Sequence, residues 1–198
     1  MRTEAISYFL HHQDLQLRLR FQVVLQCAPF LKGLKASCMI SLGEDLCAGL
    51  PMMFGEMGIT WRILLRKNGK CLLLFYRAED LEECVDCPGA RKILERFGYR
   101  GMDLGEMLDH LEKRLCSMEG IRKGFPHEVG AFLGYPAEDV EGFIKNNGKK
   151  YLFTGYWKVY HDPSGAAETF RAFDEVREHA VNEYLSGRSL QEIMTEET

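Results

Sequence analysis

The chain contains no uninterrupted apolar run approaching the roughly 20 residues that a membrane-spanning helix requires. Met1 to Gln13 carries two histidines and an early acid where an export signal would have an apolar core. Both absences point to a cytoplasmic protein with no membrane partner. There is no excess of positive charge either: 25 Lys+Arg against 29 Asp+Glu give a formal net charge of −4, so nothing draws the whole molecule toward phosphate backbones, and nucleic acid is not an expected partner. The glycine-rich dinucleotide fingerprint, the phosphate-binding lysine loop, the G-x-S-x-G elbow and a carboxylate-rich metal cluster are all missing, and the enzyme classes built on them lose their physical parts. No repeat, low-complexity linker or charge block divides the chain.

What remains is 198 residues, 46% hydrophobic and 27% charged, the profile of one domain spanning 1–198 with room for a full core. Seven cysteines, an odd number in a chain of this composition, are expected to be free thiols, most of them serving as small core side chains.

Leu15, Leu19 and Val23 recur at helical spacing behind Asp14, a suitable N-cap, so a helix is expected over 14–26. Pro29 and Gly33 then predict a loop or single turn over 27–35. Ala36 to Leu42 reads as a buried strand. Trp61 to Leu65 and Lys70 to Arg77 flank Asn68-Gly69, whose residues tolerate positive φ, and predict a β-hairpin. Cys71 to Tyr76 is apolar at every position and should be a central strand covered on both faces. Helical patterns follow over 78–84, 89–97 and 104–116, then two short helices meeting at Gly134-Tyr135-Pro136. The aromatic stretch 151–161 predicts a strand stopped by Asp162-Pro163, before a long helix to about Leu185 and a short one over 189–195. The sum is an α+β domain with a small mixed or antiparallel sheet of about four strands packed with several helices.

Three segments carry a resemblance: Cys27-Ala-Pro with Gly33-Leu-Lys35, the run from Phe125-Pro-His-Glu through Phe143-Ile144, and Gly155-Tyr-Trp-Lys-Val-Tyr160. In this order they resemble a bacterial family of about this length, domain of unknown function 3793, found mainly in anaerobic clostridia and their relatives. The resemblance implies a bacterial, cytoplasmic protein and transfers no catalytic residue.

The residues themselves offer four constellations. Tyr151, Phe153, Tyr156, Trp157 and Tyr160, with Lys158 among them, form a ring-rich strand around Gly155. With Tyr135 as a further wall, they would make a stacking platform for a small planar ligand or a surface for a protein partner. Tyr135, Tyr156, Trp157 and Lys158 are therefore the candidate ligand-binding residues of a small binding or accessory protein. A thiol enzyme is the alternative, with Cys27 as nucleophile, His127 as general base and Lys35 as electrostatic aid. His127-Glu128 is half of a zinc-protease pattern, but Ala131 stands where the second histidine belongs, and Glu128 is expected to favour a helix N-terminus. Cys84-Val-Asp-Cys87 lacks partners for a zinc site and is preceded by acids that disfavour a thiolate. No metal site is expected, and the residues specify neither a cofactor nor an oligomeric state.

Overall fold

The computed structural model describes residues 3–55, 57–117 and 125–195. The expected hairpin forms, with β2 (Thr60–Lys67) and β3 (Lys70–Tyr76) joined through Asn68 and Gly69 at φ of 50° and 70°. The primed turn matches the right-handed twist of its strands, and Asn-Gly is the pair that reaches it at least cost. The strand before them, β1 (Ser37–Gly43), pairs antiparallel with the other edge of β3, giving the order β1-β3-β2.

The apolar run of β3 is explained by this central position. Cys71, Leu73 and Phe75 point to one face with Cys38, Ile40 and Leu42 of β1. There they meet α1 (Thr3–Leu10), α2 (Leu15–Leu31), α3 (Glu44–Cys47), α4 (Leu50–Phe54), α10 (Pro163–Leu185) and α11 (Leu190–Thr195). Leu72, Leu74 and Tyr76 point to the other face, against α5 (Ala78–Asp86), α6 (Pro88–Arg96), α7 (Leu104–Cys116) and α8 (Val129–Phe132). A sheet covered on both sides has no polar face to alternate with, so its middle strand is apolar throughout. The α+β architecture is thus the one expected, and α1 is a helix that the sequence pattern did not disclose.

Two segments depart from expectation. The chain does not turn at Pro29: α2 begins at Asp14, whose side chain accepts from the amides of Gln16 and Leu17, and runs through the proline to Leu31. Proline removes one intrahelical donor, but Phe21, Val24, Ala28, Phe30 and Leu31 are all buried on this helix, and that burial outweighs a single lost bond. The helix closes one turn later. Gly33, at φ 79°, lets its own amide reach Phe30 O and the Leu34 amide reach Pro29 O, while Arg77 at the end of β3 donates to the Phe30 and Leu31 carbonyls at 2.9 and 3.2 Å. Lys32, just beyond, ion-pairs with buried Glu183 of α10 at 3.1 Å and fixes the two long helices together.

The second departure is the aromatic stretch. Rather than one strand it is a ribbon of its own, β4 (Phe153–Thr154) and β5 (Lys158–Val159), apart from the main sheet. The Gly155 amide donates to Trp157 O at 3.0 Å and closes the turn. The expected four-strand sheet is therefore three strands plus this ribbon, which packs through Val159 and Trp157 on Ala166 and Phe170 of α10. It also lies against α9 (Ala137–Asn146), which follows α8 after Gly134, at φ 68°, and Tyr135-Pro136.

Candidate functional site

The ribbon is held by one buried carboxylate. Asp139, in the first turn of α9, accepts from Trp157 Nε1 and the Tyr160 amide, each at 2.7 Å, and from the His161 amide at 2.8 Å. A carboxylate with several donors satisfies polar groups that a two-residue strand cannot pair by itself. Close approach is possible because two neighbouring positions lack side chains. A Cβ on Gly142 would lie 2.5 Å from Tyr160 Cγ, and one on Gly155 would lie 2.3 Å from the Phe170 ring.

This arrangement leaves a cleft of about 410 Å³ between the α8–α9 pair and the ribbon, with Met39 of β1 contributing to its lining. Tyr135, Tyr156, Trp157 and Lys158, the four residues expected to bind a ligand, all line it, and so does His127. The Tyr135 and Trp157 rings stack with centroids 5.1 Å apart and planes at 30°. His127 lies 4.7 Å from the Phe143 ring, and burial lowers its pKa despite the adjacent Glu128 carboxylate, so it is a neutral imidazole at pH 7. Lys158 donates to Gly148 O at 2.7 Å and sits over the Tyr151 ring, which positions its ammonium beside the aromatic wall. Burial pushes the Tyr135 hydroxyl up to about 12, and it donates to Tyr156 O at 3.3 Å. The cleft combines large apolar rings with a few fixed polar groups, the general make-up of small-molecule sites.

A second cleft, of about 710 Å³, lies across the Tyr135–Trp157 stack, bordered by Lys35, Cys84, Tyr135, Asp162 and Phe173 among others. Lys35 reaches it from the loop after α2, with its ammonium 5.1 Å from the Tyr135 ring centre and 5.9 Å from that of Phe173.

Cys27 lines neither cleft. It is wholly buried in the core beneath the sheet, with its sulfur 3.1 Å from Cys38 Sγ. Burial, and the Cys38 partner after it, push the Cys27 thiol well above its ordinary value, whereas the contact with Cys27 and the Lys35 charge lower the pKa of the Cys38 thiol. Of the three members of the thiol-enzyme constellation, Cys27 and Lys35 are brought near each other, while His127 belongs to the first cleft.

Glu128 does not serve a helix N-terminus. It is completely buried and ion-pairs with Arg114 Nε of α7, with the Tyr99 hydroxyl donating to it at 3.2 Å, so it braces α8 against α7. In the C-x-x-C pair, Cys84 faces the Ala131 carbonyl and Cys87 the Glu83 carbonyl. No group of three or more metal-ligating side chains occurs among the described residues.

A family model described as protein of unknown function (DUF3793) matches residues 23–194, which take in both clefts and all the residues that line them. The chain belongs to the DUF3793 family. No curated protein and no solved structure matches it. Among the described residues, no helix is long and apolar enough to cross a membrane.

The residue that sequence reasoning passed over is Asp139. At the third position of α9 it is one of two acids that helix amides favour, and nothing local points to its partners elsewhere in the fold. Phe143 and Met39 were equally silent, since nothing in their local pattern says which interior they face.

Proposed function

We propose that this member of the family is a small ligand-binding or accessory protein, and that its ligand is a planar molecule held in the first cleft. One observation carries the reading: four residues chosen from two distant segments, Tyr135, Tyr156, Trp157 and Lys158, border a single cavity with His127 at its edge. A planar ligand would extend the Tyr135–Trp157 stack, the Lys158 ammonium would answer a carbonyl or anionic substituent, and the neutral His127 ring would offer one donor or acceptor. A cytoplasmic, bacterial setting belongs to the same reading and suits a chain whose seven cysteines are all free thiols.

A thermal-shift screen with flavins, nucleotides, haem and metal ions tests it. A ligand at a hundred times its Kd should add about 2.7 kcal/mol of stability, and Trp157→Ala should abolish the shift. If no planar compound stabilises the protein at millimolar concentration, the reading is wrong.

In the second reading, a thiol enzyme with Cys27 as nucleophile, His127 as base and Lys35 as electrostatic aid, the Lys35 charge favours a Cys27 thiolate against the larger opposing effects of burial and Cys38. Iodoacetamide labelling across pH decides it: this reading requires Cys27 to react faster than a thiol of pKa about 8.5.

A further inference from the structure

Two lysines leave the end of α2 in opposite roles. Lys32 is closed off by an ion pair with Glu183 at 3.1 Å. Lys35, three residues later, is directed into the second cleft, and no carboxylate among the described residues lies within ion-pair distance of its ammonium. Its neighbours are the faces of Tyr135 and Phe173 and the thiols of Cys38, Cys27 and Cys84. Rings attract a cation weakly, and the three thiols favour the ammonium by less than burial disfavours it, so the site withdraws water from the amine without fully compensating it. Its pKa falls accordingly, with burial as the cause. The cavity beside it, about 710 Å³, has room for a small molecule, and Leu34, Ala36 and Leu133 supply apolar lining. Its acids, Glu138, Asp139 and Asp162, form no ion pair with the amine among the described residues: Asp139 accepts from Trp157 Nε1 and the Tyr160 and His161 amides, and Asp162 caps α10 by accepting from the Gly165 amide.

We propose that Lys35 is a carbonyl-reactive amine, and that the second cleft receives a small aldehyde or ketone that condenses with Lys35 Nζ. The amine lone pair adds to the carbonyl carbon, forming a C–N bond. The two amine protons pass to the oxygen, the C–O bond breaks to release water, and the nitrogen lone pair closes the imine C=N bond. Nothing is oxidised or reduced, no cofactor is needed, and hydrolysis by one water molecule returns the amine. Lysines that do this work are desolvated and lack a carboxylate partner, the situation found here. The inference does not rest on the planar ligand of the first cleft.

Benzaldehyde with sodium cyanoborohydride at pH 7.5 traps such an imine on the intact chain, and peptide mass mapping locates it. Lys35 should be labelled several-fold faster than exposed Lys70 and Lys113, because a lowered pKa enlarges the neutral, nucleophilic fraction of the amine. Labelling of Lys35 at or below their rate overturns the proposal. Lys35→Arg keeps the charge and should remove the fast-labelled site, whereas Cys84→Ser should keep it; loss of labelling in Cys84→Ser would assign the reactivity to the thiol instead. Phe143→Ala alters only the first cleft and should leave Lys35 labelling unchanged, so failure of either cleft's reading shows separately.

Discussion

Trp157 and Asp139 are joined by a 2.7 Å hydrogen bond from the indole Nε1 to Oδ2, and the other carboxylate oxygen takes the amides of Tyr160 and His161. One buried acid thus ties the aromatic ribbon to α9 and sets one wall of both clefts. Asp139→Ala leaves three donors without their acceptor and should cost about 3 kcal/mol, whereas Trp157→Phe loses the indole bond and part of the ring packing, keeps both amide bonds, and should cost about 1.5 kcal/mol. Urea unfolding of both variants and of the double variant measures the coupling. Equal losses from the two single substitutions would show that Asp139 does not hold the backbone of the ribbon.

Gly155 allows the Phe170 ring to lie where a β-carbon would stand. Gly155→Ala should therefore destabilise the protein by about 1–3 kcal/mol, the usual range for overpacking. Adding Phe170→Leu should recover part of that loss, which a thermal melt of the double variant would show. Absence of recovery would place the strain elsewhere in the turn.

The lowered pKa of His127 gives the first cleft a pH dependence of known sign. In the unfolded chain the imidazole takes up a proton near pH 6.5, while the folded chain takes it up only at lower pH. Between these two values the unfolded state binds more protons, so the contribution to stability is complete above about pH 6.5 and declines as the pH falls toward the folded value. His127→Phe should flatten this part of the stability–pH curve. A ligand that stacks beside the neutral ring should bind more weakly over the same acid range, as isothermal titration at pH 7.5 and pH 5.5 would reveal.

The Lys35 amine lies over the Tyr135 and Phe173 rings, and among the described residues no carboxylate is within ion-pair distance of it. Lys35→Met keeps much of the side-chain length, removes the buried charge and should stabilise the fold at pH 7 by about 1 kcal/mol, a rise of roughly 2–4 °C in Tm. The lowered folded pKa means that the unfolded chain binds the extra proton in the window that ends near pH 10.4, so wild-type stability rises with pH across it. The advantage of Lys35→Met should shrink correspondingly between pH 7 and pH 10. A less stable Lys35→Met would mean that the ammonium makes a structural contact worth more than its desolvation.

Several elements were legible because their causes are local. Asn68-Gly69 specifies a hairpin by its own dihedral preferences, Asp14 caps α2 with its own side chain, and the unbroken apolar run 71–76 demands cover on two faces. The ring-rich segment and Tyr135 stand out as a candidate site from composition, because clustered aromatics near a glycine and a proline junction are unusual wherever they occur. Pro29 suggests a turn for the opposite reason: its local penalty is visible in sequence, while the buried side chains that overrule it are not.

What the sequence determined by itself, then, was the α+β class, the hairpin and the central strand. Tertiary structure alone decided that Cys27 is sealed against Cys38, that Asp139 anchors Trp157 from another helix, that residues 151–161 fold back as a ribbon, and that Lys35 and Lys32 part company. The physical reason is range. Turn dihedrals, caps and hydrophobic period act within a few residues, but burial and hydrogen-bond partnership depend on what the rest of the chain brings alongside, and those energies set the pKa and the reactivity of a side chain.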